Sequence, residues 1–429
     1  MGPTRSLAWA LFTVSLVLAV LALVQRHNDV AARSSVAALT ATVALPDRLP
    51  EVDARDQWPP RLEDALCVPK VYLYATAQVD ALQPLREAHR ACRFTAYSSE
   101  TMLYAMLRDE TSAAHRLYVT DNPDEANVFW VPFFGDCFFQ ECKANSKGPV
   151  KAWSDCEPED RYIKPLLSHI ASRYPYWNRT NGADHVIVHP MDGIAAGYYD
   201  RAVVQHYMGD AVFLTTAGDK RIRRNRSSSQ FRLHRDIVIP STTTILHQVR
   251  KDPLDYLDPA TGQPRGGRLR DIKVLFRGNA ENVKPGDLYS HGVRSLFPGF
   301  AALPGWNISR WDHPDRYAEL LARSRFGLAP EGWTADTTRV WEYLAFGVVP
   351  VIIADGILEP FEDDADWRSF ALFVRRDEAH LLPQILDDVS PQQYERLRRR
   401  VWSEGRLLDL DRHAIDYIMR SLCRSVVLK

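Results

Sequence analysis

The chain has 429 residues, 46% of them hydrophobic and 25% charged, with a formal net charge of -1. That length exceeds what one hydrophobic core usually organises, so two domains with accessory segments are expected. The near-neutral balance excludes bulk electrostatic attraction to nucleic acid or to an anionic membrane surface, which leaves recognition to local sites.

The first element in chain order is an uncharged apolar run over 7–24, bounded by Arg5 and Arg26. Its length just spans a bilayer, whereas a cleaved signal peptide, the competing reading, usually has a shorter apolar region. One N-terminal transmembrane helix is therefore expected after a cytoplasmic tail over 1–6. Residues 25–66 carry Pro46, Pro50, Pro59 and Pro60 and read as a stem. Sequons at Asn178, Asn225 and Asn307 and six cysteines without a C-x-x-C pair fit a body in an oxidising lumen. The cysteines read as disulfides, with Cys137–Cys142 and Cys67–Cys92 as candidate pairs among several connectivities, or as buried free thiols.

Beyond the stem, short β-branched and aromatic runs over 71–75, 127–134, 185–189, 211–215 and 236–239 predict buried strands. Helical periodicity over 98–108 and 162–173 lies between them, so an α/β domain with a mostly parallel sheet is expected over 67–251. A Pro/Gly/Arg-rich interval over 252–270 is the linker candidate. A second series follows, with strands over 271–276, 325–329, 349–354 and 370–374 and helices over 315–323, 338–346, 378–387 and 391–404. This gives a second domain over 271–415 and a C-terminal tail over 416–429. Two such domains are expected to face a cleft, with ligands outside the carboxyl ends of the strands.

The most informative stretch is RFGLAPEGWTADTTRVWEYLAFGVVPVIIA, beginning at Arg325. It reads strand, Gly-containing loop, helix, strand. Pro330 ends the strand, Gly332 lies in the loop, and Asp336, Thr337 or Thr338 can cap a helix that Gly347 and Pro350 terminate. Backbone N–H groups, the helix dipole and the Thr337 and Thr338 hydroxyls then suit a diphosphate. Arg339 and Glu342, three residues apart, share a helix face: Arg339 can pair with phosphate, and Glu342 can accept from ribose hydroxyls. The same spacing also fits an ordinary Arg/Glu pair on an amphipathic helix.

The order S-x-F-x-L-A-P-x-G, then T-R-x-x-E, then G-x-x-P-V-I, D and P-F resembles the donor-binding region of exostosin-like glycosyltransferases, glycosyltransferase family 47. The match runs through Ser324 to Pro330, Gly332, Thr338, Arg339, Glu342, Gly347, Pro350 to Ile352, Asp355, Pro360 and Phe361. Upstream, KVYLYA from Lys70, ANVFWVPFF from Ala126, DHVIVHPMDG from Asp184, RDIVIPS from Arg235 and KVLFRGN from Lys273 look like ordered landmarks of the same family. Two positions depart from its pattern: Glu331 stands where the family commonly has Arg, and Val348 where a Cys is frequent.

The resemblance implies a GT-B-like α/β fold, two Rossmann-like domains with the nucleotide sugar on the second, and an inverting transfer, usually from a UDP-sugar. It also implies a single-pass type II Golgi membrane protein acting in the lumen on a glycan or glycoprotein. Inverting transfer needs a base for the acceptor hydroxyl and cations or donors for the leaving diphosphate. For the second role the candidates are Arg277 and Gly278 in the FRGN turn, Arg294, Thr338 and Arg339; for the first they are His189 and Asp192, which equally suit turn capping. The D-x-D strings at Asp364 to Asp366 and Asp409 to Asp411 read as solvated acidic turns, so no metal and no cofactor are expected, and no nucleic-acid partner. The basic run over 220–235 reads as a solvated loop or a contact for an acidic glycan. A non-catalytic partner of another transferase and a GDP-fucose-using enzyme of the same fold are the alternative functions.

Overall fold

The computed structural model describes residues 67–74, 98–146, 148, 153–190, 204–219, 231–242, 251–410 and 413–428. The expected anchor and stem, the loop carrying Asp192, the sequon at Asn225, Cys92 and most of the basic run lie outside them. Among the described residues no helix is long and apolar enough to cross a membrane.

Among the described residues the chain forms two five-stranded sheets whose pairings are all parallel. The first contains β1 (Val71–Leu73), β2 (Val128–Trp130), β3 (His185–Val188), β4 (Val212–Thr215) and β6 (Ile237–Val238), in that spatial order, and the short β5 (Gly218–Asp219) lies outside it. β2, β3 and β4 are buried along their whole length, as central parallel strands covered on both faces must be. Helices Ser99–Arg108 and Lys164–Arg173 fall within the helical periods read from the sequence.

The second sheet is built from β7 (Ile272–Arg277), β8 (Trp306–Ser309), β9 (Ser324–Pro330), β10 (Val349–Ile353) and β12 (Leu372–Val374), in the order β12-β10-β9-β7-β8. Counted from β7 this is a 2-1-3-4-5 doubly wound sheet, and its order reverses between β7 and β9. β8 carries no strand prediction, because Trp306–Ser309 is a four-residue edge strand with only Trp306 fully buried. The other four strands of this sheet lie within about two residues of their expected positions, whereas β2 of the first sheet ends four residues before the expected 134.

The pair β5–β11 (Ile357–Leu358) joins the halves as an antiparallel ribbon. β5 begins just after the carboxyl end of β4, and β11 just after that of β10. The carboxyl ends of both sheets therefore converge on one ribbon, which is the two-sheet arrangement of a GT-B-like fold.

Three expectations are corrected. The linker candidate is docked: Arg270 donates to the carbonyls of Gly262, Ser324 and Phe346, Arg398 to that of Thr261 and the Trp402 indole to that of Pro259. The region past 415 is no tail but helix Ala414–Leu422, whose apolar face is buried. Its Asp416 accepts from Tyr118 of the first half, while Tyr417 stacks on Phe361 of the second. Finally, Cys67 pairs with Cys423 and Cys142 with Cys156, and none of the described cysteines is free.

Candidate functional site

The switch point between β7 and β9 is where an open α/β sheet leaves a crevice at its carboxyl edge. β7 delivers Arg277 and Gly278 there, and β9 delivers Pro330 and the 331–338 loop. A kinked segment, Tyr289–Leu296, is clipped to that loop by the Ser290 amide, which donates to the Gly332 carbonyl at 2.9 Å.

Arg294 and Arg339 converge on this crevice. Arg294, 2% exposed, donates to the Tyr289 hydroxyl at 2.5 Å and to the Pro330 carbonyl at 3.1 Å, with its guanidinium 4.7 Å from the Tyr289 ring centroid. Arg339 donates to the Arg277 carbonyl and to the Thr337 hydroxyl, the latter at 2.8 Å. A Cβ on Gly278 would lie 2.5 Å from a terminal nitrogen of Arg339, so only glycine lets this side chain reach its place. Burial and then the positive charge of Arg339 push the Arg294 guanidinium down to about 10. Neither arginine forms an ion pair among the described residues. Two adjacent guanidiniums whose neighbours are carbonyls, hydroxyls and aromatic faces make a site that favours a multivalent anion.

Thr338 is the N-cap residue of helix Arg339–Ala345 but makes no side-chain capping bond; the buried Thr337 hydroxyl serves Arg339 instead. That helix has only seven residues, so its dipole adds little beside the two formal charges. It ends where expected, with Gly347 at φ 65°.

Glu342 does not pair with Arg339. Its carboxylate accepts from the Tyr317 hydroxyl at 2.6 Å and is 5% exposed. Burial raises its pKa, against the opposing effects of the Tyr317 hydrogen bond and the Arg339 charge. Arg339 turns to β7 and Glu342 to helix Pro314–Ala322, so the Arg/Glu pair that spacing also allowed is not formed.

Arg277, expected among the donor-binding cations, is held by protein partners. It donates to Asp312 at 2.5 Å, to the Asn307 carbonyl at 2.8 Å and to the Asn307 side-chain oxygen at 2.7 Å, and so fastens β7 to β8. The same contact holds the Asn307 sequon in the edge strand. Asn178 is exposed on helix Tyr176–Thr180, with its amide nitrogen on the Ala171 carbonyl at 2.9 Å. His189 is 1% exposed beside the Phe133 ring at the end of β3, a packed position rather than an open one. Asp364 of the first D-x-D string is held by two bonds from Arg424, and Asp366 caps the turn at Trp367–Ser369.

The buried Glu331 carboxylate lies 3.0 Å from the His291 imidazole Nδ1 and 3.3 Å from the Arg376 Nε. Arg376 also pairs with Asp355 at 2.7 Å. Tyr289, His291, Tyr317 and Arg376 had no sequence signal, since each sits outside the strand-loop-helix segment and reaches the site only through the fold.

The Exostosin GT47 domain model matches residues 67–389. A probable glucuronosyltransferase, GUT1, of Oryza sativa subsp. japonica is 32% identical over 281 residues, covering 63% of this chain and 60% of the relative. Probable glucuronosyltransferase 47 A of Physcomitrium patens is 31% identical over 287 residues, 64% of this chain and 57% of its own length. Probable beta-1,4-xylosyltransferase IRX10L of Arabidopsis thaliana is 31% identical over 290 residues, 65% of this chain and 63% of its own. The chain thus spans about 60% of the length of the curated relatives it matches first. With a family model covering well over half its length, and with both parallel sheets and the strand-loop-helix segment in place, the chain belongs to the exostosin GT47 family.

Proposed function

We propose that the protein is an inverting glycosyltransferase that holds the diphosphate of a nucleotide sugar on Arg294 and Arg339 and transfers the sugar to a glycan or glycoprotein. The observation that carries this reading is the guanidinium pair at the β7/β9 switch point, lacking any carboxylate partner among the described residues. When the bond to the anomeric carbon breaks, negative charge grows on the departing diphosphate, and two fixed cations stabilise that state more than the ground state. Glu342, fixed by Tyr317, is the candidate ribose acceptor.

The family resemblance and the names of the relatives support a UDP-sugar donor, with uronosyl and pentosyl donors first in a screen. The 7–24 run supports a single-pass type II anchor in the Golgi membrane with a lumenal body, and the disulfides suit that compartment. The full chain in detergent, given UDP- and GDP-sugars, is expected to release UDP from one donor class, and GDP release alone would favour the fucosyl alternative. Absence of nucleotide release together with absence of thermal stabilisation by UDP would point to the non-catalytic role.

A further inference from the structure

We infer that Trp333 is the platform on which the transferred sugar of the donor stacks, an assignment that rests on the donor reading of Arg294 and Arg339. The indole is 64% exposed, although it belongs to the loop that β9 delivers to the crevice. A lone exposed hydrophobic side chain is ordinary on a protein surface and calls for no explanation. This one is held in place by its neighbours and leads directly to the guanidinium pair.

Trp333 stands at the tip of a short turn. The Gly332 amide donates to the Thr334 carbonyl at 2.9 Å, and the Gly332 carbonyl accepts from the Ser290 amide at 2.9 Å. The Trp333 ring meets that of Tyr289 edge to face, with centroids 5.3 Å apart and planes at 62°. Tyr289 in turn accepts the 2.5 Å bond from Arg294, whose guanidinium lies 4.7 Å from its ring centroid. Trp333, Tyr289 and Arg294 are therefore successive members of one chain of contacts, and a group held by Arg294 has the aromatic pair beside it. The surface over Gly332 is uncrowded: a Cβ built there would meet a Tyr289 ring carbon at 3.6 Å and an Arg294 terminal nitrogen at 3.7 Å, ordinary contact distances.

The order of these groups decides which part of the donor reaches the shelf. Glu342, the candidate ribose acceptor, lies on the far side of Arg339, whose charge acts both on it and on Arg294. Across the crevice the sequence is then Glu342, Arg339, Arg294, Tyr289 and Trp333. A nucleotide sugar joins its ribose, diphosphate and sugar in that same order. A sugar ring has a face of C–H groups carrying partial positive charge, and an aromatic face carries the negative part of its quadrupole. Stacking buries the apolar face of the sugar and leaves the hydroxyls at its rim free to hydrogen-bond. UDP lacks that ring, so the platform separates the affinity for a UDP-sugar from the affinity for UDP.

The test is calorimetry on the full chain in detergent with UDP, UDP-xylose and UDP-glucuronic acid, comparing the parent with Trp333→Ala and Trp333→Phe. Trp333→Ala is expected to bind UDP within about twofold of the parent, and the UDP-sugar that the parent binds best about tenfold more weakly. Trp333→Phe should recover most of that loss, and both variants should melt close to the parent because the replaced side chain is exposed. Weakening of UDP and of the UDP-sugar by the same factor overturns the assignment, since the indole would then serve the nucleotide. Unchanged affinity for both UDP-sugars also overturns it, and a raised acceptor KM beside that result would give the indole to the acceptor. Failure of the unmodified chain to bind UDP would instead overturn the donor reading beneath it, and the assignment with it.

Discussion

A terminal nitrogen of Arg339 lies 2.5 Å from where a Cβ would stand on Gly278, so this glycine leaves room for the arginine. The FRGN turn supports the site through its glycine and the Arg277 carbonyl, and the Arg277 side chain serves β8. Gly278→Ala is expected to displace Arg339 and weaken UDP binding at least tenfold, the scale of one lost charge-assisted contact of roughly 1.5–3 kcal/mol. Calorimetry checks this; unchanged affinity would separate Gly278 from the arginine.

Glu342 and Tyr317 form a buried pair that spacing along one helix could not reveal. Tyr317→Phe removes the hydroxyl that steadies the carboxylate and is expected to raise donor KM several-fold with kcat little changed. A drop confined to kcat would place Glu342 in the chemical step instead.

His185 lies between the Tyr74 hydroxyl and Asp184, with both ring nitrogens at 2.7 Å from their partners. Burial lowers its pKa, against the opposing pull of Asp184, so the folded protein holds it neutral below the point where the unfolded chain protonates. Below the ordinary value of about 6.5 the unfolded state binds the extra proton, and stability falls as pH drops through that value toward the folded one. The melting temperature should decline on going from pH 7.5 to 5.5, and His185→Gln should flatten that decline. An equally steep decline in the variant would assign it to other groups.

The Cys67–Cys423 bond closes a loop of sequence separation 356 and anchors helix Ala414–Leu422 beside β1. In the chain-entropy picture so long a loop contributes on the order of 5 kcal/mol. Cys423→Ser is expected to lower the melting temperature by several degrees and to expose the C-terminal helix to hydrogen exchange. Protection equal to that of the parent chain would show that Tyr118, Asp416 and the Phe361–Tyr417 stack hold the helix alone.

Much of this fold could be read in the sequence because parallel strands buried on both faces are written as runs such as HVIV and VPVII. β8 could not, being an edge strand with mixed burial. The terminal helix read as a tail because it follows the last strand and finds its partners, Tyr118 and Phe361, far back in the chain. Cysteine pairing was illegible for the same reason, since spacing favours near neighbours and the fold joins positions 67 and 423. In the site, local grammar supplied Arg339, Thr337 and the loop, while Arg294 entered only as a candidate cation for the leaving diphosphate. The bonds of Arg277 to Asp312 and Asn307 were illegible because a strand-end arginine can bond forward to a ligand or sideways to the next strand, and the sequence does not say which. The His291–Glu331 contact could not be found at all, since its two residues stand forty positions apart.

The most direct test of the central claim is UDP release from the best donor by the full chain and by Arg294→Ala, Arg339→Ala and the double variant. Each single variant is expected to lose at least tenfold in kcat/KM and the double variant to lose more, with melting temperatures of the apo proteins close to the parent. Turnover and UDP affinity unchanged in the double variant would contradict the account, because the diphosphate would then have to bind elsewhere.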